Sequence, residues 1–521
     1  MGAGSGGGGA DLGVLRVAKL SLIVLDPGHF HAALAQKEMY DNVAERVHVY
    51  APVGPDLVDY LTRIARFNNR AEAPTSWQLE VHAGGDFLNR MAREKPGDVA
   101  IIANRNSGKL GAIAAAVGAG IHVLADKPMI IQRDQLPALA DTLDRAAAAG
   151  LVVLDMMGGR AEITRSLTRL LHNDPDIFGE QIAGSPSEPG VTMTSVHHLM
   201  KMVSGVPNPR PAWYFDIRQQ GDALADIGTH LVDRVHTTLF PGEALDYRCD
   251  IAIGGVKRWP TMVDLVQFRQ VTGEMAWPEY LGDAVAGGKL AYDCNVNLGY
   301  AVRGIHVGLD MVWEWEEPAG GGDIHTESWR GTRARIELRH GPEYGWQPEL
   351  YVVPLADIEA ALRRRIADLA ETHRGLAIEK HQSEWKLVIP DALRIGHDAH
   401  FRELTKGFLA YAENPASLPA ETNANLLAKY YVTTAAEAAS HQGGRGWPTH
   451  DATSNASGRN RAPIRKRSSP KAAASSGSPA RSRSRMRPGS RSPAISTGKC
   501  TRCSAGSARR WRKPAASSPT W

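Results

Sequence analysis

Three short stretches of this chain carry side chains suited to holding a nucleotide or moving a proton. The first, S-L-I-V-L-D-P-G-H-F-H, ends an apolar run in a turn made of Asp26, Pro27, Gly28, His29, Phe30 and His31. A turn after the first strand of a parallel sheet can bring backbone close to a pyrophosphate, which then lies at the next helix N-terminus. Glycines spaced G-x-G-x-x-G permit that approach; here the spacing falls on Asp26, Gly28 and His31, so one glycine remains. His29 and His31 would project at the carboxyl edge of the sheet, where ligands bind.

The second stretch, I-H-V-L-A-D-K-P, places Asp126, Lys127 and Pro128 just past the end of an apolar strand. Lys127 would then point into the crevice, where an ammonium can hydrogen-bond a substrate hydroxyl and help move its proton. A similar tripeptide, Glu94-Lys95-Pro96, precedes a strand and so falls at the wrong edge. In the third stretch, Q-Q-G-D-A-L-A-D-I-G-T-H-L-V-D, Asp226 and His230 stand four residues apart on a predicted helix and share a face. A carboxylate and an imidazole so placed can act as orienter and general acid/base; a surface ion pair uses the same spacing. His230 and His236 lie on different faces, neither HxxxH nor HExxH spacing occurs here, and no metal site is expected.

The elements that must position these groups follow from periodicity. Apolar strands are predicted at Leu20 to Leu25, Val47 to Ala51, Val99 to Ala103, Ile121 to Ala125 and Leu151 to Leu154. Helical patterns lie between them, at about Ala32 to Tyr40, Asp56 to Phe67, Asp86 to Arg93, Lys109 to Val117 and Asp134 to Ala149. Near-continuous apolar strands alternating with amphipathic helices predict a doubly wound α/β domain, a Rossmann-like parallel sheet over residues 17–153. The acid that ordinarily ends the second strand and takes the ribose hydroxyls is missing: V-H-V-Y-A-P ends in Tyr50, Ala51 and Pro52, with Asp56 late. The choice between NAD and NADP stays open on that ground.

Beyond Met156 longer alternating strands appear, among them Cys294 to Leu298, Gly304 to Trp315, Arg335 to Leu338 and Glu349 to Val353. They predict a C-terminal α+β domain over 154–439 with an open, mostly antiparallel sheet, closed by helices at His397 to Ala412 and Thr422 to Ala439. Residues 1–16 are Gly-rich and expected to be disordered.

Charge divides the chain at residue 440. From Ser440 to Trp521 there are 18 basic residues and one acid, whereas the preceding 439 residues hold 42 basic and 55 acidic ones, a net charge of −13. The body is thus an ordinary acidic protein, and nucleic acid is not an expected partner because the basic excess is confined to the tail. That Arg/Ser/Pro-rich tail lacks periodicity and is expected to be disordered; accidental sequence, as from a frame-shifted read, accounts for it better than a functional tail. Cys500 and Cys503 form a lone C-x-x-C with no second ligand pair. The body's two cysteines, Cys249 and Cys294, make no disulfide framework. No apolar run reaches the roughly 18 residues a bilayer needs, and no leader pattern opens the chain, so a cytoplasmic protein is expected.

The βαβ start, a D-K-P after the Ile121 strand and G-x-A-L-x-D-x-G-x-H-x-x-D about a hundred residues later resemble the Gfo/Idh/MocA oxidoreductases. The closing stretch G-H-D-A-H-F-R-E-L-T-K-G-F-L-A-Y is similar to a subgroup with its own C-terminal domain type. The resemblance implies an NAD(P)-dependent enzyme oxidising a secondary alcohol of a sugar, cyclitol or related polyol, and a homo-oligomer. It implies Lys127, Asp226 and His230 as the catalytic set: His230 taking the hydroxyl proton, Lys127 polarising the same oxygen and Asp226 orienting His230. For the cofactor it implies Asp26 to Phe30, Ala103 and Asn104 in place of the family's T-P, Asp126 in place of its Glu, and Lys127. For substrate it suggests His197, His198, Lys201, Trp213, Arg218 and His325. Two rivals remain: a lyase or glycosidase that oxidises C3 transiently on held NAD, and a non-catalytic nucleotide or sugar sensor.

Overall fold

The computed structural model describes residues 19–203 and 206–440. The expected Gly-rich N-terminus of residues 1–16, the tail beyond residue 440 and its C-x-x-C lie outside the described residues. The first sheet comprises β1 (Leu20–Leu25), β2 (Val43–Ala51), β3 (Gln78–Ala83), β4 (Val99–Ile102), β5 (His122–Ala125) and β6 (Val153–Asp155). All are parallel, in the order β3-β2-β1-β4-β5-β6. The order reverses between β1 and β4, and in open α/β sheets the crevice at that reversal, outside the carboxyl ends of the strands, is where ligands bind.

Period-two alternation explains why β1 is apolar from Leu22 onward. Leu22 and Val24 join the core on one face of the sheet, while Ile23 and Leu25 join the other. Helices α1 (His31–Leu34), α2 (Pro55–Asn69), α3 (Phe87–Glu94), α4 (Lys109–Gly118) and α5 (Leu136–Ala148) connect the strands. The predicted helix Ala32 to Tyr40 is corrected to the single turn α1, because the chain bends to start β2 at Val43. Edge strand β3 was not legible as a strand, since most of its residues are exposed and no apolar run marks it. Lys95 closes α3 in the left-handed conformation (φ 45°), ahead of β4, so the Glu94-Lys95-Pro96 tripeptide does lie at the amino edge of the sheet.

After β6 the chain forms α6 (Ile163–His172), β7 (Val191–Met200), α7 (Ile217–Gln220), α8 (Ala223–Asp226) and α9 (Gly228–Leu239). β7 runs parallel to the strand Ile305–Glu316 and antiparallel to Ile324–Arg330 at the centre of a ten-stranded sheet. The other described pairings of that sheet are antiparallel. One face of the Ile305 strand is buried at every second residue, against a core that includes Leu167 and Leu171 of α6 and Val232 and Val235 of α9.

The chain then returns to the first sheet. Helix His397–Glu413 places Phe401, Phe408, Leu409 and Ala412 in the core with Leu22 and Val24. Helix Thr422–Thr433 sends Leu426 and Tyr430 to the opposite core, with Ile23 and Leu25. Both faces of the parallel sheet are therefore finished by residues near position 400 and beyond. No helix among the described residues is long and apolar enough to cross a membrane.

Candidate active site

Lys127, Asp226 and Tyr214 form the most tightly bonded group in the crevice. Lys127, just past β5, donates from Nζ to the Asp226 Oδ1 at 2.5 Å and to the Asp226 carbonyl oxygen at 3.0 Å. The Tyr214 hydroxyl donates to the other carboxylate oxygen at 3.1 Å. Burial alone would raise the Asp226 pKa, but the ammonium beside it holds the carboxyl below the usual range. Asp226 is thus an anion fixed between a cation and a phenol. The side chains of Lys127 and Asp226 keep 12% and 13% exposure, enough for a ligand to reach them.

His230 lies one turn further on. Asp226 ends α8 and His230 stands in the first turn of α9, with Ile227 at the junction, so the two are not on one continuous helix as the spacing suggested. The expected orienting bond is also corrected: the Asp226 carboxylate is taken by Lys127 and Tyr214, while its charge reaches His230 only through space. Burial first, then the Lys127 ammonium, push the His230 pKa well below its ordinary value. The imidazole is therefore neutral at neutral pH, the form a general base needs.

The turn after β1 is built differently from a glycine-rich one. Asp26 adopts φ 49°, where a glycine would be unstrained. The Gly28 amide donates to the Asp26 carbonyl and the His29 amide to the Ala103 carbonyl, both at 2.8 Å, so these donors serve the turn itself. Asp126, 3% exposed, accepts from His29 Nδ1 at 2.8 Å and His31 Nδ1 at 2.9 Å. Burial lowers the His31 pKa to about 3, so His31 is a neutral donor to an ionised carboxylate. The two histidines of the D-P-G-H-F-H motif thus fasten the first turn to the D-K-P segment. Phe30 is exposed, at 5.8 Å from the Arg63 guanidinium, and Pro27 completes the turn.

Asn104 sits beside this turn, its Cα 3.6 Å from where a Gly28 Cβ would be. Its Oδ1 is buried and has no hydrogen-bond partner. An orphaned acceptor in the crevice at the sheet's reversal fits a ligand donor, such as a carboxamide or ribose hydroxyl of a dinucleotide. Asp56, set aside as too late in sequence, reaches the same place: its Oδ2 lies 3.5 Å from the Gly28 Cβ position. Pro55 starts α2 there and turns the next carboxylate back over the β1 turn.

Lys109 was not anticipated. It occupies the first turn of α4, is fully buried, and donates to the Asn106 Oδ1 at 2.6 Å. Burial lowers its pKa to about 8, with Asp126, Lys127 and Asp226 among the charges it senses.

The six candidate substrate residues separate into groups. His197, His198 and Lys201 converge on Asp323, a residue the sequence did not mark: His197 Nδ1 lies 3.0 Å and His198 Nδ1 3.5 Å from its carboxylate, and Lys201 Nζ bonds it directly. Of these, His197 also senses Asp226, which ties the cluster to the Lys127–Asp226 pair. Trp213 is 5% exposed and its Nε1 has no partner. His325 pairs with the buried Glu327 at 2.5 Å, and Glu327 in turn holds Arg234 of α9 at 2.6 Å. Arg218 is exposed and spends its guanidinium on Asp216 and the Tyr280 carbonyl, contacts that do not reach the Lys127–Asp226 pair.

A parallel sheet in this strand order, joined to an open mixed sheet with a Lys–Asp pair at the crevice, defines an oxidoreductase of Gfo/Idh/MocA type. Residues 167–441 match the family described as "Putative oxidoreductase C terminal domain", and the chain belongs to that family. The crystal structure of a "putative oxidoreductase" from Parabacteroides merdae ATCC 43184 is 40% identical, with a TM-score of 0.80, covering 82% of this chain and 98% of that one. A "putative oxidoreductase" from Thermotoga maritima, at 12% identity and a TM-score of 0.52, shares the fold over 81% of this chain and 98% of its own. The structure of GenD2 from gentamicin A biosynthesis, solved in complex with NAD, is 14% identical with a TM-score of 0.48 over 81% of this chain and 95% of that one. Among curated proteins no relative matches the chain.

Proposed function

We propose that the protein is an NAD(P)-dependent oxidoreductase acting on a secondary alcohol of a sugar, cyclitol or related polyol, or on the corresponding ketone. The observation that carries this reading is the Lys127–Asp226–Tyr214 group beside a neutral His230 at the mouth of the sheet's reversal. Asn104, Gly28 and the D-K-P segment would hold the dinucleotide. When bound, its nicotinamide supplies the acceptor for the hydride that leaves the alcohol carbon.

This chain's residues would do the rest. Lys127 donates a hydrogen bond to the substrate oxygen and stabilises the charge growing on it. His230 removes the hydroxyl proton as the carbon–oxygen double bond forms, and returns it in the reverse direction. Asp226 and Tyr214 keep the ammonium in one place, so that it is a positioned donor rather than a mobile one. His197, with its Asp323 and Lys201 partners, offers polar groups to the neighbouring hydroxyls, and the unpartnered Trp213 Nε1 offers another. Asp56 favours NAD: a carboxylate folded over the β1 turn accepts ribose hydroxyls and repels a 2′-phosphate.

The test is a titration of the full chain with NADH and NADPH, read by energy transfer from tryptophan, followed by a polyol screen. NADH should bind more tightly, and Asp56→Ala should narrow the difference. Lys127→Ala should lose turnover by about 100- to 10,000-fold while weakening cofactor binding far less. Full turnover by Lys127→Ala, or no binding of either nucleotide to nucleotide-free protein, would refute the reading.

A further inference from the structure

One edge of the parallel sheet holds a second cluster of titratable groups, made by its two outermost strands on this side. In parallel register His48 of β2 lies beside Glu80 of β3, and Tyr50 beside His82. Because side chains alternate along a strand, His48, Tyr50, Glu80 and His82 share one face. His48 and His82 are sheltered, with 16% and 13% of their side chains exposed, whereas Glu80 is 48% exposed. The two imidazole planes are within 9° of parallel, with centroids 6.4 Å apart.

The carboxylate sits between the rings without hydrogen-bonding either. Its Oε2 lies 3.5 Å from His48 Nδ1 and its Oε1 3.4 Å from His82 Nε2. These separations exceed the roughly 2.7–3.2 Å of a good N–H···O bond. Each suits one imidazole–carboxylate pair of donor atoms on an ion: with bonds of about 2.0–2.2 Å and tetrahedral angles, neighbouring donors stand about 3.4 Å apart. Because the two separations run to different oxygens of Glu80, an ion would take one oxygen and the other imidazole would close on it by a small rotation of the carboxylate. All three donor atoms fall within 4.8 Å of one another. His48 Nδ1 is buried and has no hydrogen-bond partner, which is unusual for an imidazole nitrogen with a donor or a lone pair to satisfy. The His82 ring is held in place by Tyr50, stacked on it at 4.6 Å, and Tyr50 is itself fixed by donation to the Glu94 carboxylate at 2.6 Å.

We propose that His48, Glu80 and His82 form a binding site for a divalent zinc-class ion, which clips edge strand β3 to β2. Two imidazoles and a carboxylate suit zinc, and the exposed side of Glu80 leaves a fourth position for water. The site uses none of the groups assigned to the reaction. Its consequence is structural: ion binding draws the outermost strand onto the sheet and protects the edge.

The test uses the full chain stripped with chelator and dialysed against zinc chloride, with metal content read by mass spectrometry. Wild-type protein should take up one more equivalent than His48→Ala/His82→Ala, and zinc should raise the melting temperature of the wild type only. Glu80→Gln, which keeps size and hydrogen bonding, should weaken zinc by at least the roughly 10- to 100-fold seen for outer-shell changes. Cobalt in place of zinc should give ligand-field bands at this site without a thiolate charge-transfer band, which separates it from Cys500 and Cys503. His29→Ala/His31→Ala should bind zinc as the wild type does. Equal zinc uptake by wild type and His48→Ala/His82→Ala, when both stripped proteins melt alike, would overturn the proposal. So would loss of the ion in the His29→Ala/His31→Ala variant alone.

Discussion

At the scale of single residues, burial sets the chemistry. His230 is pushed well below the ordinary histidine value, so its basic form persists into acid. The acid limb of kcat/KM for alcohol oxidation should therefore fall well below pH 6.5, the value of an unperturbed imidazole; a limb centred near pH 6.5 would assign the base elsewhere. Lys109 makes an opposite kind of statement. Its folded pKa of about 8 lies below that of an unfolded lysine, so the unfolded chain binds the proton more tightly and the buried ammonium costs stability below pH 8. Lys109→Met should raise stability at pH 7, by about 3 kcal/mol less the roughly 1–3 kcal/mol cost of leaving the buried Asn106 Oδ1 without its donor. That gain should shrink as pH rises from 8 towards 10, which urea melts at the two ends of the range would show. A lysine kept at such a cost beside Asn106 and the D-K-P segment marks a place where charge matters more than stability. Lys127, Asp226 and His230 were legible because their motifs are local in sequence. Asp323 was not, since its partners His197, His198 and Lys201 come from β7 and the residue just after it, more than a hundred residues earlier. Tyr214 and Lys109 bond near neighbours, Asp226 and Asn106, but their roles depend on burial by the folded core, which no local motif marks.

At the scale of elements, one carboxylate secures the helix that carries His230. Asp233, a turn beyond His230 on α9, accepts from Arg160 at 2.6 Å and Arg165 at 2.5 Å and faces Lys429 Nζ at 3.4 Å. Lys429 also pairs at 2.7 Å with Asp155, at the end of β6, which accepts from the Tyr430 hydroxyl at 2.6 Å. Burial opposes the Asp233 charge, but Arg160 and Lys429 hold its pKa well below the usual carboxylate range. Asp233→Ala would leave buried cations uncompensated and should cost about 3–5 kcal/mol by denaturant unfolding. Because the folded pKa is the lower one, the Asp233 contribution is present above pH 4 and is lost only as pH drops through that depressed value. The difference in stability between wild type and Asp233→Ala should accordingly be the same at pH 5 and pH 7. The final Asp of the D-x-G-x-H-x-x-D motif was visible in the sequence, but its three cationic partners span residues 160 to 429. Periodicity disclosed the buried strands for the same reason that it missed β3: a strand covered on both faces is written in apolar residues, and an exposed edge is not.

At the scale of the whole molecule, a parallel sheet followed by a mixed, mostly antiparallel one is the order the periodicity predicted, while the last strand of the first sheet, β6, runs to Asp155, across the expected division at residue 154. What the sequence did not reveal is that the helices His397–Glu413 and Thr422–Thr433 cover the first sheet, because their apolar residues fit any partner. Residues 19–157 expressed alone should accordingly expose the surfaces left by Phe401, Phe408, Leu426 and Tyr430. Such a fragment should bind a hydrophobic dye and lack a cooperative melt, and a peptide of residues 397–440 supplied in trans should restore one. A cooperative, dye-silent fragment would show that the closing helices are dispensable. During synthesis the same arrangement imposes an order in time. The sheet made first waits on the ribosome with both faces incomplete until nearly three hundred further residues have been added, so the nascent chain passes through a long interval in which chaperones, rather than its own helices, must shield it.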